Sequence, residues 1–191
     1  IIGFEKGSLP LRAAPCFIRS AGEAERLVWD SSCENNLAAY IPKKKERIGI
    51  IVKGCDARSV VGLIKERQIA RDSVVIIGVP CSGMIDRGKT NEMLAGKEVL
   101  SVEEKDGSII CRGNGFEKTL SKQEILPESC RCCRHRNPAV VDIMIGDAVQ
   151  EQQAVEEFAA IREFEAQSPD ARWDNFNRQM EKCLRCYACR N

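Results

Sequence analysis

The chain has 191 residues, 43% of them hydrophobic, with 29 Lys and Arg against 28 Asp and Glu. Such a balance creates no field that would draw it to nucleic acid or to an anionic membrane, and no apolar run reaches the roughly 18 residues of a membrane span, so its expected partners are proteins or small molecules. Eleven cysteines, an odd number, argue against a closed disulfide framework and for metal-bound thiolates in a reducing, cytoplasmic compartment.

In chain order, residues 1–4 and 16–18 read as short strands. Residues 20–40 read as a helix, with Ser20 as N-cap and Leu27, Val28, Leu37 and Ala38 facing a core. The KKKER stretch at 43–47 reads as a solvated loop. Residues 47–53, RIGIIVK, are a short β-branched run of the buried-strand kind, followed by the tight turn GCDARS at 54–59. A helix with Val60, Leu63, Ile64 and Arg67 at helical spacing comes next. Residues 73–79, SVVIIGV, repeat the buried-strand signature. Strand, helix and strand make a βαβ unit with a parallel sheet, whose post-strand loops open on one carboxyl edge. Cys55 and Cys81 are therefore expected on that edge, close together.

Further on, EVLSVEEKDGSIICRG alternates around Asp106-Gly107, a hairpin signal. VVDIMIG, residues 140–146, reads as another buried strand, and residues 149–180 as helix broken near Ser168-Pro169. The expected fold is α/β: a small, mostly parallel sheet with a βαβ unit and an antiparallel hairpin excursion, followed by C-terminal helices leading into a cysteine cluster. The expected divisions are an α/β redox domain at 1–147, a helical linker at 148–182 and the start of a cysteine module at 183–191. The opening on Ile1 and the stop at Asn191 inside a cysteine motif read as the ends of a fragment or a processed chain.

The last nine residues, CLRCYACRN, place Cys183, Cys186 and Cys189 at C-x-x-C-x-x-C spacing, which wraps three thiolates around one cubane. The bacterial ferredoxin run would put its fourth cysteine two residues past Asn191, with a Pro beside it. A zinc knuckle is the competing reading, but it needs a fourth ligand nearby, and the lone His135 lies almost fifty residues upstream. The second group, SCRCCRHRNP, has Cys130 and Cys133 at C-x-x-C spacing with Cys132 expected to point away. With Cys55 and Cys81 this pair makes four thiolates from three loops, the number a cubane needs. Cys16, Cys33 and Cys111 read as buried packing residues, and His135 as a candidate sulfide hydrogen-bond donor or loop cap. Gly54, Arg58 and Ser59, at a helix N-terminus, are candidates for a cofactor phosphate, although the turn matches neither the G-x-G-x-x-G fingerprint nor the P-loop.

The order GCDARSVVGLIKER, then IIGVPC, then C-x-C-C followed by VVDIMIGD resembles the beta-subunit family of deazaflavin-reducing (coenzyme F-420) hydrogenases and dehydrogenases. The likeness runs from Ile48 to Asp147, and the tail resembles a ferredoxin module. The resemblance implies an oxidoreductase subunit with a flavin, usually FAD, and a 4Fe-4S cluster held by Cys55, Cys81, Cys130 and Cys133. A second cluster is expected where the tail motif is complete. It also implies partner subunits of hydrogenase, formate dehydrogenase or heterodisulfide-reductase type, and a two-electron acceptor such as a deazaflavin. Arg131, Arg134 and Arg185 are candidates for raising cluster potentials through nearby positive charge. A flavin-free electron-transfer adaptor and a zinc-stabilised interaction module stand as alternatives.

Overall fold

A computed structural model describes residues 1–42, 46–152 and 158–187. It divides into two compact units, Ile1–Gln153 and Ala154–Asn191.

The first unit is built on a five-stranded sheet. β1 (Ile2–Lys6) pairs antiparallel with β2 (Ala13–Phe17) and parallel with β3 (Ile48–Val52), which pairs parallel with β4 (Val74–Gly78). α1 (Gly54–Lys65) connects β3 to β4, completing the expected βαβ unit. The central strands are apolar throughout because both sheet faces are covered. Ile50, Val52, Val60, Ile76 and Phe4 are buried in one cluster, while Ile51 and Ile77 pack on the opposite side against Leu27 and Trp29.

Residues 20–40 do not form the expected helix. Two short 3-10 turns, Ala21–Arg26 and Leu37–Tyr40, flank a stretch that runs along β1, where the Val28 N–H donates to the Phe4 carbonyl at 2.9 Å. The turn formers explain the break: the Asp30 carboxylate accepts from the Ser32 N–H at 2.7 Å, and the Asn36 side chain accepts from the Ala38 N–H at 3.0 Å. Ser20 does act as an N-cap, with the Glu23 carboxylate accepting from its N–H at 3.3 Å. Of the KKKER loop, residues 43–45 lie outside the described residues.

After β4 the chain passes through α2 (Arg87–Met93) into an antiparallel sheet of β5 (Ser101–Lys105), β6 (Ser108–Gly113) and β7 (Phe116–Ser121). The Asp106-Gly107 hairpin forms as expected, both residues taking positive φ, 49° and 74°. β7 goes beyond the expected hairpin, although Asn114-Gly115 carries a turn signal of the same kind. Ile109, Cys111 and Leu120 face inward onto Ile85, Leu94 and Ile125.

A short helix, α3 (Glu128–Arg131), leads to β8, which is only Ile143–Met144 and pairs parallel with β4. The strand order of the larger sheet is therefore β2-β1-β3-β4-β8. The run 140–146 is thus not a buried strand. It forms the sheet edge, with Ile143 and Ile145 about half exposed, and Asp142 turns its carboxylate onto the Ile76 N–H at 2.7 Å. Residues 149–152 are likewise not helical. The Asn137 side chain brackets Val149, accepting from its N–H at 2.9 Å and donating to its carbonyl at 2.7 Å. The Glu151 carboxylate accepts from the N–H groups of Arg136 and Asn137 at 2.7 and 3.0 Å. Saturating the preceding loop in this way competes with helix formation.

In the second unit, α4 (Ala159–Glu165) and α5 (Pro169–Met180) are separated at the expected break. Ser168 caps α5 by accepting from the Ala171 N–H at 3.2 Å, with Pro169 in the first turn. Trp173 and Phe176 stack on its surface with centroids 5.4 Å apart.

Candidate metal centre

Val52 and Gly78 are paired across β3 and β4, so Cys55 and Cys81, each three residues further on, emerge at one sheet edge. Cys55 falls in the first turn of α1, because the helix starts directly at Gly54 and not after a turn. Gly54 is needed for close approach: a Cβ there would lie 2.0 Å from the His135 carbonyl oxygen. That contact brings the segment after α3 onto the start of α1. The same segment is tied to the second loop by the Cys81 N–H, which donates to the Arg136 carbonyl at 2.9 Å.

Gly83 completes the approach. It has φ +102°, and a Cβ on it would meet Leu126 at 2.7 Å and the Cys130 Cβ at 3.6 Å. Its N–H donates to the Cys81 sulfur at 3.4 Å. Cys81 and Cys130 are both half-buried against the main core cluster. Cys133 follows where the chain leaves α3, its N–H directed at the Cys130 carbonyl. The Cys132 thiol instead donates to the Glu128 carboxylate at 3.3 Å. The start of α1 carrying Cys55, the loop carrying Cys81 and the α3 segment carrying Cys130 therefore meet, and Cys133 follows in the third of them.

Cys55 reaches solvent, yet the protein around its sulfur desolvates it, and with the Asp56 carboxylate alongside this pushes it up to about 11, against the opposing pull of Lys53. Desolvation also raises Cys81, opposed by the Gly83 N–H, while Lys53 and Lys122 favour its thiolate. Such thiols become ligands when a metal supplies the compensating charge, so binding releases protons. Among the described residues, no three His, Cys, Asp or Glu side chains form a group arranged to hold a metal ion. A cubane distributes its four thiolates over four irons, a wider spacing than one ion requires, and the four-thiol donor set is of the kind it uses.

Sequence reasoning missed the buried pair beside this edge. The Lys53 ammonium donates to the Asp56 carboxylate at 2.8 Å and to the carbonyls of Cys33 and Asn35 at 3.2 and 3.0 Å. Its three donors are thereby used, at side-chain exposures of 4% for Lys53 and 1% for Asp56. An IVKGCD string shows a Lys near a strand end but not that it turns inward.

The phosphate candidates look different in three dimensions. The carbonyls of His135 and Asn137 close over Gly54, Asp56 puts a carboxylate in the first turn, and the Ser59 hydroxyl accepts from the Asn36 amide at 2.8 Å. Arg58 is exposed. These residues do not fit a phosphate seat. Arg131 is paired with Glu128 at 3.2 Å, and His135 contributes its backbone carbonyl. Cys16, Cys33 and Cys111 are buried packing residues as expected, with desolvation pushing Cys33 up to about 12.

In the second unit Cys183 and Cys186 are exposed just after α5, and Cys189 lies outside the described residues. Arg185 takes a positive φ of 53° and its N–H donates to the Cys183 sulfur at 3.4 Å.

The chain is thus an α/β protein that gathers cysteine-bearing loops at the carboxyl edge of a parallel sheet. Residues 45–167 match the family described as the C terminus of the coenzyme F420 hydrogenase/dehydrogenase beta subunit, and the chain belongs to that family. It is 26% identical over 163 residues to the F420-dependent formate dehydrogenase 1 subunit beta of Methanococcus maripaludis, a match covering 77% of this chain and 42% of the relative. It is 24% identical over 165 residues to the F420-dependent formate dehydrogenase subunit beta of Methanocaldococcus jannaschii, covering 77% and 43%. The chain therefore spans less than half the length of these curated relatives. Among the described residues, no helix is long and apolar enough to cross a membrane.

Proposed function

We propose that this chain is the iron-sulfur electron-transfer part of a beta subunit in a deazaflavin-linked dehydrogenase or hydrogenase complex. Cys55, Cys81, Cys130 and Cys133 hold a 4Fe-4S cluster in the first unit. Cys183, Cys186 and Cys189 supply thiolates for a second centre in the other. The observation that carries this reading is the convergence of three segments, in which the Gly54 and Gly83 contacts bring the α3 segment onto those of Cys55 and Cys81.

A bound cluster supplies one-electron transfer. The chain's own residues provide the rest. The Cys55 and Cys81 thiols, which burial holds protonated, lose their protons to become ligands, and Cys130 and Cys133 complete the set. The Gly83 N–H, already directed at the Cys81 sulfur, stabilises thiolate charge, and the surrounding apolar core limits water at the edge. The relatives' names make formate dehydrogenase partners and coenzyme F420 the first candidates for the two ends of the electron path. Because Gly54, Arg58 and Ser59 do not fit a phosphate, FAD is not assigned to them. This favours, for this stretch of chain, a relay through thiol-held centres alone.

Anaerobic metal, sulfide and flavin analysis tests the proposal. Iron and acid-labile sulfide in equal amounts are expected, whereas zinc without sulfide would identify a structural module instead. A stoichiometric flavin would restore the flavoprotein form of the reading and require a seat other than the first turn of α1.

A further inference from the structure

We propose that Lys122 and Glu104 form a fixed dipole that sets the reduction potential of the core centre, with Lys122 as a positioning residue for the loop carrying Cys81. The inference rests on the reading that Cys55, Cys81, Cys130 and Cys133 hold an iron-sulfur cluster.

Lys122 directly follows β7, and its side chain is 7% exposed. Its ammonium donates to the Ser82 hydroxyl at 2.6 Å and to the Glu104 carboxylate at 2.8 Å. Ser82 is the residue next to Cys81. Glu104, on β5, turns its carboxylate to the other side as well, accepting from the Ser31 hydroxyl at 2.5 Å and the Ser31 N–H at 3.0 Å. The positive end of the pair therefore rests on the Cys81 loop and the negative end on the Ser31 loop. The antiparallel sheet is bolted to the cysteine edge through these two side chains.

With Lys122 buried and Glu104 partly exposed, the pair contributes little net stability. Its orientation, however, has an electrostatic consequence. A cluster gains negative charge on reduction, so an ammonium close to one of its thiolates favours the reduced form and raises the potential. The carboxylate, further away, opposes this more weakly. Lys122, at 7% exposure, is weakly screened, and Glu104, at 31%, more strongly, so the ammonium dominates. The Lys122 charge acts on Cys81 from across the interface, as does Lys53 from the Cys55 side.

The test is a potentiometric titration of the complete, iron-loaded chain followed by electron paramagnetic resonance, the core signal being the one absent from the Cys55→Ser/Cys81→Ser variant. Lys122→Met is expected to lower the core potential and Glu104→Gln to raise it. Each shift should change the oxidised-to-reduced ratio up to about tenfold, or about 59 mV for a one-electron couple. Lys122→Arg, which keeps the charge, should leave the potential within a factor of about two in that ratio, and the tail signal should not move. A merely structural role would shift Lys122→Met and Glu104→Gln in the same direction or not at all, and either result overturns the proposal. If Lys122→Met does not fold, the sign for Glu104→Gln decides alone: a rise supports the dipole and a fall or no change overturns it. Failure of the unsubstituted chain to bind iron and sulfide is a separate outcome, which removes the cluster reading and this inference with it.

Discussion

Lys53 has exchanged water for three fixed acceptors, and two of them are carbonyls of a loop some twenty residues earlier in the chain. Replacing it with Met leaves Asp56, at 1% exposure, as an unpaired buried carboxyl whose ionisation burial already disfavours. Lys53→Met is expected to cost about 3–5 kcal/mol, read as a lower midpoint in urea denaturation of the metal-free chain; a change under about 1 kcal/mol would mean that the pair contributes nothing special. Glu104 gives a pH signature. Burial works against its ionisation, but the Lys122 and Ser31 hydrogen bonds together outweigh this and hold it below the ordinary carboxylate value. A depressed folded value stabilises the protein fully above the unfolded value, about 4.3, and that contribution disappears as the pH falls through the lower folded value. Glu104→Gln should therefore flatten the acid side of the stability profile in that window, and an unchanged slope would contradict the assignment.

At the scale of elements, α1 is held by what lies against its first residue. Gly54→Ala would set a Cβ 2.0 Å from the His135 carbonyl, a backbone atom that cannot rotate aside. The expected result is displacement of residues 135–137 and loss of iron from the core centre while α1 stays helical; retained iron would show that the α3 segment does not position ligands. Much of this arrangement is legible in the residues themselves. Ile50, Val52, Ile76 and their neighbours mark buried parallel strands by their unbroken β-branched runs, and that alone places Cys55 and Cys81 at one edge. What stays hidden depends on partners distant along the chain. The 140–146 run resembles β4 but carries Asp142 and forms an exposed edge. The 149–152 stretch gives up helix to Asn137, and residues 20–40 give way to the turn chemistry of Asp30 and Asn36. Lys122 and Glu104 are separated by two strands and resemble surface residues until the hairpins fold together.

For the molecule as a whole, two compact units each carry a thiol set of different character. In one, Cys81, Cys130 and Cys133 are half-buried and Cys55 is exposed, and they come from three separated segments; in the other, Cys183 and Cys186 are exposed and lie close together in one segment. The ligand spacing of the tail is evident in CLRCYACRN, whereas the core set requires the sheet to bring its members together. Independent centres should be lost independently. Cys183→Ser/Cys186→Ser should remove the tail iron and leave the core signal, and loss of both signals would show that the two sets share one centre.

The central claim is that the sheet edge holds an iron-sulfur cluster. Its most direct test is the anaerobic iron and acid-labile sulfide content of the Cys55→Ser/Cys81→Ser variant against the unsubstituted chain. The account predicts a loss of about four irons and four sulfides per chain with the fold retained by circular dichroism; unchanged iron and sulfide in a folded variant would contradict it.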